Sequence, residues 1–160
     1  MRTIGIDTFA MTNPALTSVL LWQFSKSFEE EKKKGPTLSL CFIVLPIVMS
    51  RLNAETFTGT NVRTGFLTWL TRHPELTLHL PSQVDATREL TSDALRFGIA
   101  HRLFTVKPDG TLSVDPNAIS FPRRAGSDER VRMLRIASHL GQWTRNLPEA
   151  TVFYSMGMTP

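Results

Sequence analysis

Four histidines, His73, His79, His101 and His139, and one cysteine, Cys41, are the residues of this chain best suited to hold a metal or attack a substrate. A zinc site needs ligands at short fixed spacings, as in H-E-x-x-H, and none of the histidines stands in such a pattern. His73 precedes Pro74 in a turn and His139 adjoins Leu140 in a helical stretch, settings where imidazoles pack or face water. Ser127 and Ser138 lack the G-x-S-x-G context of a nucleophile elbow, and neither G-x-x-x-x-G-K-[ST] nor G-x-G-x-x-G occurs. The carboxylates fall among helix caps and salt pairs, with no apolar setting to tune one as a general acid. The expectation is a non-enzyme: no catalytic residue, no metal ligand and no cofactor.

Charge is the chemistry that remains. The 160 residues carry 18 Lys and Arg against 14 Asp and Glu, a net charge of +4, which permits contact with nucleic acid without requiring it. Two groups of cations stand out as candidate contacts for nucleic acid or a partner. Arg96, Arg102 and Lys107 lie along a helix and the hairpin after it. Arg123, Arg124, Arg130, Arg132 and Arg135 form a denser cluster, suited to phosphate or an acidic protein face, with an ordinary solvated helix face as the competing reading.

The elements that would position these groups are mostly helical. Asn13 is an N-cap and Pro14 fits the first helical position, so a helix is predicted to about Lys34, ended by Gly35-Pro36. Leu16, Leu20, Phe24 and Phe28 form its stripe. Leu21 and Trp22 make its first half apolar nearly all round, while Glu29 and Glu30 pair with Lys32, Lys33 and Lys34 on a solvated second half. Trp22, Phe24 and Phe28 are therefore core residues or a candidate interface. A second helix is expected over about Leu38–Leu52, although Cys41-Phe42-Ile43-Val44 reads equally as a buried strand and Pro46 interrupts it. "NAETFTGTN" reads as a polar connector.

Three helical stretches follow. The first has Val62, Phe66, Trp69 and Leu70 on one side. The second has Leu76, Leu78, Leu80 and Val84, with Pro81 in its first turn. The third is capped by Thr91, with Leu95, Phe97, Ile99 and Leu103 as apolar points and Ser92, Asp93, Arg96 and Arg102 exposed. "LFTVKPDGTLSV" then alternates around K-P-D-G, whose Gly110 can take positive φ, and predicts a β-hairpin. A loop leads to a helix from Asp128 to about Asn146, capped by Ser127, with Met133, Ile136, Ala137, Leu140, Trp143 or Thr144, and Leu147 facing inward. "PEATVFYSMG" predicts a last short helix, or else a strand through Val152–Tyr154.

The expected class is mainly α (α+β): a winged-helix-like three-helix unit with one β-hairpin, flanked by N- and C-terminal helices. One domain spans 1–160, with an N-terminal helical segment at 13–55, the winged-helix-like unit at 60–115 and C-terminal helices at 127–160. The lone Cys41 in an apolar run points to a reducing, cytoplasmic compartment. Leu38–Met49 falls short of a membrane span, and "MRTIGIDTFAMTNPA" is a poor signal peptide.

Several segments together resemble a known family. "NPALTSVLLWQFSKSFEEEKKKGPTLSLCFIVLPIVM", "TGFLTWL", "ATRELTSDALRFGIAHRLFTV", "ASHLGQW" and "TVFYSMGMTP" are similar to the middle component 3 family of three-component ABC (ABC-3C) prokaryotic conflict systems. Gln142 and Thr159 stand where that family tends to carry basic residues. The resemblance implies a non-catalytic adaptor. Its partners would be an SMC/Rad50-like ABC ATPase and an effector protein, with DNA reached through the complex, in defence against phage or other invading DNA. A winged-helix DNA-binding regulator is the alternative. The apolar opening helix also leaves a homodimer open, and no membrane is expected.

Overall fold

The computed structural model describes residues 13–32, 34–121 and 128–159. Helices dominate it, and among the described residues the one small sheet is an antiparallel pair. Helix α1 spans Pro14–Lys32. The Asn13 carboxamide oxygen accepts the Ala15 N–H at 2.9 Å, as the N-cap predicts. Leu20, Leu21, Trp22 and Phe24 are all buried, and so are Thr17, Ser18, Ser25 and Ser27. The run of apolar residues on every face is thus explained by position: α1 is the central helix, and the rest of the fold packs round it. Trp22 and Phe24 accordingly have no surface to offer a partner in this structure. Phe28 is partly buried against the same core.

The stretch read as one helix over Leu38–Leu52 is three short ones: α2 (Leu38–Cys41), α3 (Val44–Met49) and α4 (Arg51–Glu55). Pro46 accounts for the first break, since its ring and missing N–H exclude a helical bond to the Phe42 carbonyl. Near the start of α3 it costs nothing. Ser50 makes the second break: its backbone is extended and its hydroxyl accepts the Asn53 N–H at 3.3 Å. Cys41 is buried and free, and burial pushes its thiol pKa up to about 12.

Helices α5 (Phe66–Arg72), α6 (Leu76–Ala86) and α7 (Arg88–Ala100) precede the hairpin strands β1 (Phe104–Val106) and β2 (Leu112–Val114). The order of elements matches the sequence reading, but several positions do not. Val62 lies in an exposed turn before α5. Pro81 is inside α6 because that helix begins early, straight after the His73-Pro74 turn. Gly157 fits against the Thr77 carbonyl that Pro81 leaves without its usual N–H partner: a Cβ there would lie 3.2 Å from that oxygen. Leu78 is 77% exposed and Ile99 is 42% exposed. Thr91 does not cap α7; it is buried within that helix, which starts after Thr87.

Helix α8 (Asp128–Thr144) and α9 (Glu149–Ser155) close the chain, so the helical reading of Val152–Tyr154 is the correct one. Met133, Ile136, Ala137, Leu140, Trp143 and Thr144 are buried, as the stripe predicts. Ser127, the expected cap, lies outside the described residues.

Two features lock α8 to the rest. The first is a close crossing with α1. A Cβ on Gly141 would fall 2.4 Å from the Phe24 carbonyl oxygen and 2.9 Å from the Phe28 nitrogen, so only glycine lets the backbones meet. The Ser27 and Ser138 hydroxyls share a 2.8 Å hydrogen bond alongside. The second is an aromatic cluster. Phe57 stacks on Trp143 at 5.3 Å and meets Trp69 at 4.8 Å, while His139 stacks on the far ring of the group, Trp143, at 5.7 Å. The segment read as a polar connector therefore contributes a core residue. Buried indoles need a hydrogen-bond acceptor, and each finds one. Trp69 donates to Thr56 Oγ1, Trp143 to the Asn61 carbonyl and Trp22 to the Asp115 carbonyl.

Candidate partner interface

The hairpin owes its shape to its turn. Asp109 Oδ1 accepts the Thr111 N–H at 3.1 Å and the Thr111 hydroxyl at 2.6 Å, and Gly110 takes a φ of 79°. Those two bonds, helped by Lys34 at 3.5 Å, hold the Asp109 carboxyl below its usual pKa. β1 and β2 pair in the register Phe104↔Val114, Thr105↔Ser113, Val106↔Leu112. The other side of β2 is occupied as well. Leu112 N–H donates to the Pro36 carbonyl at 2.8 Å, and Thr37 bridges Thr111. Where that short third segment ends, Glu29 of α1 takes over and accepts the Val114 N–H at 3.1 Å. Glu29 thus serves the hairpin, while the side chains of Lys32 and Lys33, its expected partners, lie outside the described residues. β2 is the middle of this small sheet, and β1 is its edge.

Helix α7 delivers the chain into β1 through a tight C-terminal cap. Leu103 N–H bonds the Gly98 carbonyl at 2.8 Å and Arg102 N–H bonds the Ile99 carbonyl at 3.2 Å, the paired bonds of a Schellman motif. The residue in the left-handed position is usually glycine. Here it is Arg102, with φ 59°, the one described non-glycine at positive φ. Phe104 then turns inward and lays its ring on Gly98, where a Cβ would come within 2.2 Å of it.

The structure distributes the candidate cations unevenly. Arg96 is exposed but tied to Asp93 at 3.1 Å. Arg132 is paired with Glu129. Arg130 and Arg135 are exposed on α8. Arg135 also bears on His139, whose pKa is lowered first by burial and then by that positive charge. Arg102 and Lys107 are exposed at the two ends of β1, with no acidic partner within 4 Å among the described residues. Arg123 and Arg124 lie outside the described residues.

On the exposed face of α7 the charges alternate. Arg88 pairs with Asp85 at 2.5 Å, Glu89 follows, and Asp93 neutralises Arg96. A duplex backbone would meet as many carboxylates as guanidinium groups there. Among the described residues no group of three or more His, Cys, Asp and Glu could hold a metal ion, and no helix is long and apolar enough to cross a membrane. Sequence reasoning missed Glu29 and Val106 at this site. Glu29 sits in a charged run that looks solvated, and Val106 becomes notable only once β1 is known to be an edge.

The fold defines a small, mainly helical α+β protein whose hairpin and charged helix ends are its distinctive surfaces. The chain belongs to the family of ABC-three component (ABC-3C) system Middle Component 3, whose family model matches residues 8–160. It is therefore a middle component of a three-component ABC system and has partners within that system. Nothing among the curated proteins or the solved structures matches it.

Proposed function

We propose that the protein is a non-catalytic adaptor that links an SMC/Rad50-like ABC ATPase to an effector component in a cytoplasmic antiviral defence system. Family membership over residues 8–160 is the observation that carries this reading. The site chemistry agrees with it. The shifted pKa values belong to Cys41 in the core, Asp109 at the hairpin tip and His139 beside Trp143, three separate structural settings. What the surface offers instead is Arg102, Lys107 and Arg135, suited to an acidic protein face.

The test is co-elution with the ABC ATPase encoded beside it, at low and at physiological salt. A complex at both supports the adaptor, and its absence at both sinks it.

The order of three helices and a hairpin supports a second reading, a winged-helix DNA-binding regulator. It requires salt-dependent duplex binding that weakens when Arg96 and Arg102 become Ala. The balanced charge on α7 argues against it.

A further inference from the structure

We infer that the open edge of β1, between Arg102 and Lys107, docks an extended, acidic-ended segment of another component of the system; this rests on the adaptor reading. Lys107 N–H donates to the Thr111 carbonyl at 2.8 Å, and Asp115 N–H donates to the Leu103 carbonyl. Antiparallel pairing alternates, so the backbone groups of Leu103, Thr105 and Lys107 face β2, and those of Val106 face away. Neither the N–H nor the carbonyl of Val106 has a hydrogen-bond partner among the described residues, and the residue is 42% exposed. On the far side of β2, Pro36 and Glu29 fill the equivalent positions.

The edge itself selects the occupant. Val106 presents a donor and an acceptor side by side, which another extended backbone satisfies together. A phosphate oxygen can only accept, so a phosphate backbone met at this edge would pair the Val106 N–H and leave its carbonyl to water. A second copy fits poorly for a different reason. Symmetric antiparallel pairing centred on Thr105 would set each Lys107 opposite Leu103 of the other chain, next to its Arg102, and juxtapose like charges at both ends. A segment with a carboxylate at each end meets Arg102 and Lys107 favourably. Arg102 adds an independent sign. It holds a left-handed backbone position where glycine would be more stable, and such outliers cluster at functional sites.

The test co-expresses the full chain with the system's ABC ATPase and effector. Val106→Pro removes an N–H that β2 does not use, so the hairpin should keep its melting temperature while partner binding falls about 10-fold or more. Arg102→Glu with Lys107→Glu, both surface changes, should weaken binding in the same way. Hydrogen exchange on the wild-type complex should show slowed exchange at Val106. Wild-type affinity in Val106→Pro, or unprotected residues 104–107 in the complex, overturns the inference and leaves the adaptor reading standing. A wild-type chain that binds neither component sinks both. A dimer abolished by Val106→Pro, protection of the edge by duplex DNA, or a Lys107→Ala variant that self-associates with unchanged partner binding would also overturn it. In the last case Lys107 is only a guard against strand addition.

Discussion

Helix α1 is gripped in two contrasting ways. Against α8 the contact is backbone on backbone, made possible by Gly141 and sealed by the Ser27–Ser138 bond. Against the hairpin it is made by side chains: Glu29 accepts the Val114 N–H and the Trp22 indole donates to the Asp115 carbonyl, and among the described residues no strand lies beyond β1. The first contact has no room for any added atom. The second spends a charged side chain on holding a strand in place and leaves the Val106 backbone groups unpaired among the described residues. The difference is what the proposed docking edge at the hairpin rests on, with the crossing as its scaffold.

Substitutions can break or sharpen that contrast. Gly141→Ala should have the largest effect, because the clash is with the α1 backbone and not with a movable side chain. Overpacking here should cost about 3 kcal/mol, read as a lowered midpoint in urea unfolding. Gly98→Ala should cost about 2 kcal/mol, since the Phe104 ring must leave a buried position. The readout is again the denaturation midpoint. Glu29→Ala should cost about 1 kcal/mol by orphaning the Val114 N–H, with faster exchange confined to the hairpin. Arg102→Gly should go the other way and stabilise the chain by about 0.5 kcal/mol, because glycine takes the left-handed position without strain. If Gly141→Ala proves milder than Glu29→Ala, the contrast between a rigid crossing and a lightly held hairpin fails.

A pH titration adds a smaller, signed effect on the scaffold side. The His139 pKa is lowered in the fold by burial and by Arg135, so the folded state favours the neutral imidazole. Its contribution is present above the ordinary histidine pKa and is lost as pH falls through the lowered value. His139→Gln should therefore flatten the loss of stability as pH falls below the ordinary histidine pKa of about 6.5.

Much of the fold was legible because local and tertiary signals agreed. K-P-D-G fixed the hairpin through turn chemistry alone, and the stripe from Met133 to Trp143 had one face to bury. Other positions required the neighbours to be known. Phe57 is one aromatic among Thr, Gly and Asn, and nothing nearby shows that Trp69 and Trp143 wait for it. Thr91 has the right chemistry for a cap, yet the helix began earlier, at a Thr87 that makes no side-chain cap bond. Leu78 and Ile99 matched apolar spacing but fell on outer faces. At the candidate site the cations Arg102 and Lys107 could be picked out by charge. The unpaired edge between them could not, because strand order depends on Pro36 and Glu29 reaching β2 from a distant part of the chain.

The central claim is that this middle component works by holding other proteins. The direct measurement is affinity capture of the tagged protein from its native host, with mass spectrometry of what accompanies it, repeated after nuclease treatment. The account predicts an SMC-like ABC ATPase whose recovery survives the nuclease. Recovery of DNA alone, or of partners that disappear with it, would contradict the account and favour the winged-helix regulator.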